Sequence, residues 1–236
     1  MAVQPLLVRS WNVFHGNVHP PDRRSRLEAM IRLATADRPD VLCLQEVPPW
    51  ALRRLSGWSG MTARWVITRE PKLPGPLAGW VTRLNNGYFR SGFTGQANAI
   101  LLAPGRNPRA HRSLRIDDGH REPRYCHAVR LDTLVVGNLH ATTNIRDPRI
   151  AAGEIVRAEA FVTDFAAGRP CVLAGDFNLR AEHLAELPGW SERGPGIDHV
   201  LVRGLAASRL FAWPKERRRQ NDRVLSDHAP VEVSVG

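Results

Sequence analysis

The feature that most constrains this chain is a succession of short apolar runs set off by turn residues, with only two sustained helical patterns among them. Runs at 6–13, 41–47, 62–68, 97–103, 113–116, 125–131, 133–140, 171–178, 197–202, 206–212 and 230–235 read as strands. One helix is signalled by Leu27, Met30, Ile31 and Ala34, after a stop and cap at Pro20-Pro21-Asp22. A longer one carries Ile155, Ala158, Val162 and Phe165 on one stripe, opened by Asp147-Pro148 and closed by Gly168-Arg169-Pro170. A third, short helix is expected over 48–55. The single Asp132 between two runs is a hairpin signal, so antiparallel pairing is expected there. Strand-helix order in both halves, with hairpins between, predicts an α/β chain of two mixed sheets packed face to face with helices outside.

At 236 residues and 43% apolar content the chain suits a single domain spanning 1–236. No stretch approaches the length of a membrane span and no secretory leader is visible, so a soluble protein is expected. Cys43, Cys126 and Cys171 lack metal spacing and sit in apolar runs, which reads as buried free thiols and a cytoplasmic location. The net charge of +10 points to a polyanionic partner. The excess is almost all arginine, with Lys72 and Lys215 the only lysines, which weakens that inference. Residues 70–96 are rich in Pro, Gly and Asn and read as a long loop bordering the site.

The run CVLAGDFN, 171–178, stops at a carboxylate and a carboxamide two residues apart, Asp176 and Asn178. Gly-Asp and Asn also terminate strands for purely local reasons. Yet other runs end the same way: Asn12 in VRSWNVFHG, Glu46 in VLCLQEV, His140 in VVGNLHATT, Asp198 in GIDHVLV and Asp227-His228 in LSDHAPVEV. Singly, Asn12 fits a turn cap, Glu46 a helix N-terminus and His140 a hydrogen-bonded structural histidine. Together at strand ends they describe a polar cluster built by several strands.

Read in order, LQE, GDFN and SDHAP resemble the endonuclease/exonuclease/phosphatase superfamily, from Asn12 to His228. The resemblance implies a four-layered sandwich of two mixed β-sheets flanked by helices, and a metal-dependent phosphodiester hydrolase. It implies Mg²⁺ or Mn²⁺ held through Glu46, with Asn12 supporting through its carbonyl and Asp227 as second carboxylate; hard oxygen ligands suit such an ion. It implies Asp176 orienting or deprotonating the water, Asn178 holding the water or a phosphate oxygen, and His228 on the phosphoryl group with Asp198 fixing its tautomer. His140 matches the deoxyribonuclease-like and sphingomyelinase branches, and WNVFHGN departs from the abasic-site enzymes. His15 and Gly16 in that stretch would shape the loop beside Asn12, and His199, beside Asp198, is read as structural.

Arg124, ahead of a strand, could clamp a phosphate or be merely solvated. For substrate, a nuclease acting on DNA or RNA is favoured by the basic charge and by the run from Trp213 to Arg223, WPKERRRQNDR, which would track a phosphate backbone through Arg217, Arg218 and Arg219. A lipid head-group or inositol phosphate hydrolase is the alternative, with Leu73, Leu77, Trp80, Val81, Tyr88 and Phe89 as an apolar surface. A non-catalytic module is disfavoured because each family position matched above retains its residue type. A monomer is expected.

Overall fold

The apolar runs pair much as their order suggests. A computed structural model describes residues 5–22, 24–84, 89–119, 122–143, 147–184, 187–191 and 193–236. The N-terminal half supplies β1 (Leu6–Asn12), β2 (Val18–His19), α1 (Leu27–Thr35), β3 (Val41–Val47), α2 (Leu55–Ser59), β4 (Thr62–Arg69), α3 (Gly75–Leu84), α4 (Phe89–Thr94) and β5 (Gln96–Leu102). The remainder supplies β6 (Ala110–Arg115), β7 (Tyr125–Arg130), β8 (Val135–His140), α5 (Pro148–Ala166), β9 (Cys171–Asp176), β10 (Trp190–Ser191), β11 (Asp198–Arg203), β12 (Phe211–Ala212), β13 (Arg219–Gln220), β14 (Arg223–Leu225) and β15 (Val231–Val235).

Two six-stranded sheets result, in the orders β12-β15-β1-β3-β5-β4 and β10-β11-β9-β8-β7-β6, beside a small β13-β14-β2 sheet. Each large sheet contains one parallel pair, β1 with β3 and β8 with β9, joined through α1 and α5. Such a crossover needs a helix to return the chain. Asp147 caps α5 by accepting the Arg149 N–H at 3.2 Å. α1 lays Leu27, Met30, Ile31 and Ala34 on Trp11, Leu42 and Leu44, the outer face of the first sheet. α5 lays Ile155, Ala158 and Val162 on Val135, Leu139 and Leu173 of the second. Between the sheets lie Val8, Val41, Cys43 and Ile100 against Val136, Val172, Ala174 and Val200. The molecule is therefore an α/β sandwich of four layers, helix, sheet, sheet, helix.

Strand alternation then aims the site. Val8, Ser10 and Asn12 share one face of β1; Val136, Asn138 and His140 share one of β8; Val172, Ala174 and Asp176 share one of β9; Asp198, Val200 and Val202 share one of β11. The valines and Ala174 in these sets belong to the intersheet core, so each polar residue continues a buried face to its end. Register sets His140 and Asp198 opposite Asp176 on either side. At Gly175 (φ +150) a Cβ would meet the Leu139 carbonyl at 2.1 Å, so only glycine lets β9 approach β8 here.

Several expectations are corrected. Residues 70–96 are not a structureless loop: they hold α3 and α4, with 85–88, and so Tyr88, outside the described residues. Pro74-Gly75-Pro76 opens a helix there, where proline lacks only a donor the first turn does not use. Asp22 does not cap α1, which starts at Leu27; it takes the Arg26 guanidinium at 2.8 Å. The run over 206–212 pairs only at Phe211–Ala212 and through an Ala207–Val235 bridge. Cys43, Cys126 and Cys171 are free and buried, and no described helix is long and apolar enough to cross a membrane.

Candidate active site

Asp176 ends β9 with its side chain buried between the sheets. Its Oδ1 accepts the Asn178 N–H at 2.9 Å, and its Oδ2 accepts the Asn12 amide Nδ2 at 2.9 Å. The same Asn12 nitrogen reaches Glu46 Oε1 at 3.2 Å, so one carboxamide joins two carboxylates from different sheets. Its oxygen accepts the Phe14 N–H at 2.9 Å, which fixes the amide's orientation, since an NH₂ could not accept. Asn12 thus presents its nitrogen to the carboxylates and its oxygen to the Phe14 N–H, a single bond that leaves that oxygen a second lone pair. Asn178, at φ 49, donates from its own amide to the Ala141 carbonyl at 2.9 Å, which braces Asp176.

Glu46 leaves the ladder where the β3–β5 register shifts between Leu44 and Val47, and its φ of 56 turns the side chain to the cleft. Burial, and the charge of Asp227, push its carboxyl above the usual range against the Asn12 hydrogen bond and His228. His15 Nε2 stands 3.5 Å from Glu46 Oε2. Burial and the Asp198 charge raise Asp176 to about 7, against His228 and the hydrogen bonds from Asn12 and Asn178.

The histidines divide by environment. Burial opposes charge on His228, but the hydrogen bond and charge of Asp198, with Asp176 and Asp227, outweigh it and bring the ring to about 10. Its Nδ1 lies 2.8 Å from Asp198 Oδ2, and its Nε2 lies 3.7 Å from Asp176 Oδ2. His140 goes the other way: burial, with Arg124, His228 and His15 near, depresses it well below the usual value. Its Nδ1 meets Arg124 NH1 at 3.3 Å and Gln96 Nε2 at 3.1 Å. A guanidinium only donates, so Nδ1 is the acceptor and the proton sits on Nε2. That Nε2 faces Asp176 Oδ2 at 3.5 Å and Glu46 Oε1 at 3.9 Å. His199 is buried on the opposite face of β11, with Nδ1 accepting the Gly194 N–H at 2.7 Å and Nε2 2.8 Å from the Leu179 carbonyl, as its structural reading requires.

Glu46, His140, Arg124 and Asp227 line one cleft of about 330 Å³ together with Gln96, Glu122 and His15. Arg124 is buried in its wall, and the solvated alternative falls away. Two donor groups could serve a cation. Asp176, Asp198 and His228 offer ligand atoms within 4.8 Å of one another. There the His228 Nδ1 hydrogen-bonds Asp198 and the carboxylates bring the ring to about 10, so its proton competes with a cation for the same groups. Glu46 and Asp227 line the same cleft, their charges repel, and they are hard oxygen donors, so they fit Mg²⁺ or Mn²⁺.

The arginine run is corrected at Arg218. Arg218 is buried, and its NH1 donates to the carbonyls of Leu225 (3.0 Å), Ser226 (2.7 Å) and His228 (3.0 Å). Arg217 pairs with Asp37 at 2.9 Å and stacks on Trp213 at 3.6 Å. Only Arg219 of the three is exposed and without an ion pair among the described residues. Arg218 fastens the His228 loop. Gln96 carries no mark in the sequence because it starts its strand instead of ending one: β5 runs antiparallel to β3, so its start lies at the site. Arg124 and Glu122, ahead of β7, follow the same rule. Ser226 was missed as well; its hydroxyl donates to the Asn12 carbonyl at 2.7 Å and accepts the His228 N–H at 3.1 Å.

No curated protein matches the chain by sequence. Solved structures match over the whole sandwich. A conserved protein of unknown function from Enterococcus faecalis gives a TM-score of 0.74 at 17% identity over 98% of this chain and 99% of that one. TDP2 from Caenorhabditis elegans gives 0.71 at 16%, over 98% and 74%. A mannosyl-6-phosphatase from Bacteroides thetaiotaomicron gives 0.71 at 15%, over 98% and 99%. At such identities these structures establish the fold, and the sequence match that goes further is to the family model itself. That model, the endonuclease/exonuclease/phosphatase family, aligns with residues 10–228, which contain every site residue above, and the chain belongs to that family.

Proposed function

We propose that the chain is a divalent-metal-dependent hydrolase of phosphate esters, with a phosphodiester of DNA or RNA as substrate. The observation that carries this reading is the Asn12 amide joining Glu46 and Asp176, with the His140 N–H and the His228 imidazolium converging on the same carboxylates. Glu46 and Asp227 would hold Mg²⁺ or Mn²⁺, which when bound neutralises charge on the phosphoryl and leaving oxygens.

The chain's own residues do the rest. Asp176 takes the proton of the attacking water, a task suited to a carboxyl raised to about 7. Asn12 and Asn178 hold its two oxygens so that one direction faces the cleft. His228 donates a charged hydrogen bond to the phosphoryl oxygen while Asp198 fixes its ring, and His140 donates a neutral one from Nε2. Arg124 stands behind His140 as a further donor.

The net charge of +10 supports a nucleic-acid substrate, and the buried reduced thiols support a cytoplasmic location. A second reading, hydrolysis of a phosphorylated small molecule or lipid head group, is favoured by the burial of Arg218 and the pairing of Arg217 with Asp37, which engage two of the three arginines expected to track a phosphate backbone. A panel of plasmid, single-stranded DNA, RNA, sphingomyelin, sugar phosphates and inositol phosphates, each with Mg²⁺ and with chelator, separates the two. Metal-dependent cleavage of a nucleic acid supports the first, cleavage of the small esters alone supports the second, and no hydrolysis of any refutes both.

A further inference from the structure

Beside the reacting groups, the lip of the cleft carries an ion-pair arrangement that extends outward from Arg124. Arg69, the last residue of β4, places NH1 3.1 Å from Glu122 Oε1. Arg124 places NH2 3.3 Å from Glu122 Oε2. One carboxylate therefore spans two guanidinium groups with one oxygen each. Arg69 and Glu122 are each about a third exposed, whereas the Arg124 side chain is only 10% exposed. Arg124 Nε is buried and has no hydrogen-bond partner among the described residues. A buried guanidinium N–H left unpaired costs free energy, and a carboxylate shared with Arg69 does not satisfy it.

We propose that Arg69 and Arg124 form a second oxyanion subsite, for a phosphate next to the scissile one, and that Glu122 occupies it until that phosphate displaces the carboxylate. The proposal rests on the phosphoester reading above and narrows the substrate to one bearing adjacent phosphates. A phosphate has more acceptor oxygens than a carboxylate and can take the Nε and NH2 edge of Arg124 in the bidentate manner guanidinium favours, while a further oxygen meets Arg69. Displacing Glu122 is inexpensive, because ion pairs as exposed as Arg69–Glu122 contribute little and the carboxylate returns to water. Position sets the substrate geometry. Arg124 NH1 touches His140 Nδ1 and NH2 touches Glu122, so a single guanidinium separates the reacting phosphate from the second one.

Isothermal titration of the full chain in chelator, where turnover is absent, tests this with adenosine 3′,5′-bisphosphate and adenosine 5′-monophosphate. The bisphosphate should bind at least about tenfold more tightly, the equivalent of one good charge-assisted contact. Arg69→Ala should bring the two ligands to within about twofold of one another, with monophosphate affinity unchanged. Glu122→Gln should tighten bisphosphate binding several-fold and leave the monophosphate alone, since it removes the competing charge. Monophosphate affinity reports in every variant that the cleft is intact. Equal affinities in the parent chain, a preference that survives Arg69→Ala, or weaker bisphosphate binding in Glu122→Gln would each overturn the subsite. Failure of the hydrolase reading is distinct: it appears as no ester cleaved with Mg²⁺, and it leaves the bisphosphate preference measurable.

Discussion

Asn12 carries more of the site than its residue type announces. Its oxygen caps Phe14 and its nitrogen ties Glu46 to Asp176, so two carboxylates that would repel are held through a shared donor. That Asn12 belongs to the cluster could be read from its place at a strand end; which end of its amide faces the carboxylates could not, because the Phe14 N–H that decides it is turned back onto the Asn12 side chain by the Val13 backbone, at φ -87 and ψ 6. The elevated carboxyl groups have a measurable consequence. Asp176 sits at about 7 and Glu46 is raised, so below about pH 7 the metal-free cluster retains protons that it gives up when a cation favours the ionised form. Titration of Mg²⁺ at about pH 6, in two buffers of different ionisation heat, should show proton release that has vanished at about pH 9. Buffer-independent heats at the lower pH would mean that neither carboxyl is raised in the free protein.

Among the elements, the loop from Trp213 to His228 shows most plainly how a charge run can mislead. Arginine in a run reads as a solvated or ligand-facing surface, but Arg218 turns in to satisfy carbonyl groups of the strand that leads to His228, and the sequence pattern carries no mark of that turn. Trp11 assists, donating its indole N–H to the His228 carbonyl at 3.0 Å. Arg218→Ala leaves those buried carbonyls with fewer donors, which should cost about 1–3 kcal/mol in denaturant unfolding. A slackened His228 should lower kcat by about tenfold to a hundredfold. The salt dependence of nucleic-acid binding should not change. A salt slope shallower by about 0.9, with kcat intact, would instead make Arg218 a phosphate contact. The helical stripes of α1 and α5 and most strands of both sheets were legible because burial on one face imposes its period on the sequence. α3 and α4 were not, since Pro74 and Pro76 punctuate a helix start as readily as a loop.

For the whole molecule, two β-α-β units face each other, and the apolar inner faces give way to a buried Ser10–Gln45–Asn138 hydrogen-bond network and then, at one end, to the site. Asn12, His140, Asp176 and Asp198 were visible in the sequence because the chain runs towards that end in β1, β8 and β9, and because Asp198 interrupts an apolar run at the start of β11. Gln96 and Glu122 reach the same end from antiparallel strands or the turns before them, where a polar residue looks like an ordinary strand start. In the proposed hydrolase, Glu46 would hold the metal while Asp198 serves His228. Calorimetric titration of Mn²⁺ into Glu46→Gln and Asp198→Asn, with turnover measured on the same samples, tests it most directly. Glu46→Gln should weaken binding about a hundredfold or more, whereas Asp198→Asn should keep affinity within about threefold and lose turnover by about a hundredfold or more. Metal binding lost in Asp198→Asn and retained in Glu46→Gln would place the ion among Asp176, Asp198 and His228 and contradict the account.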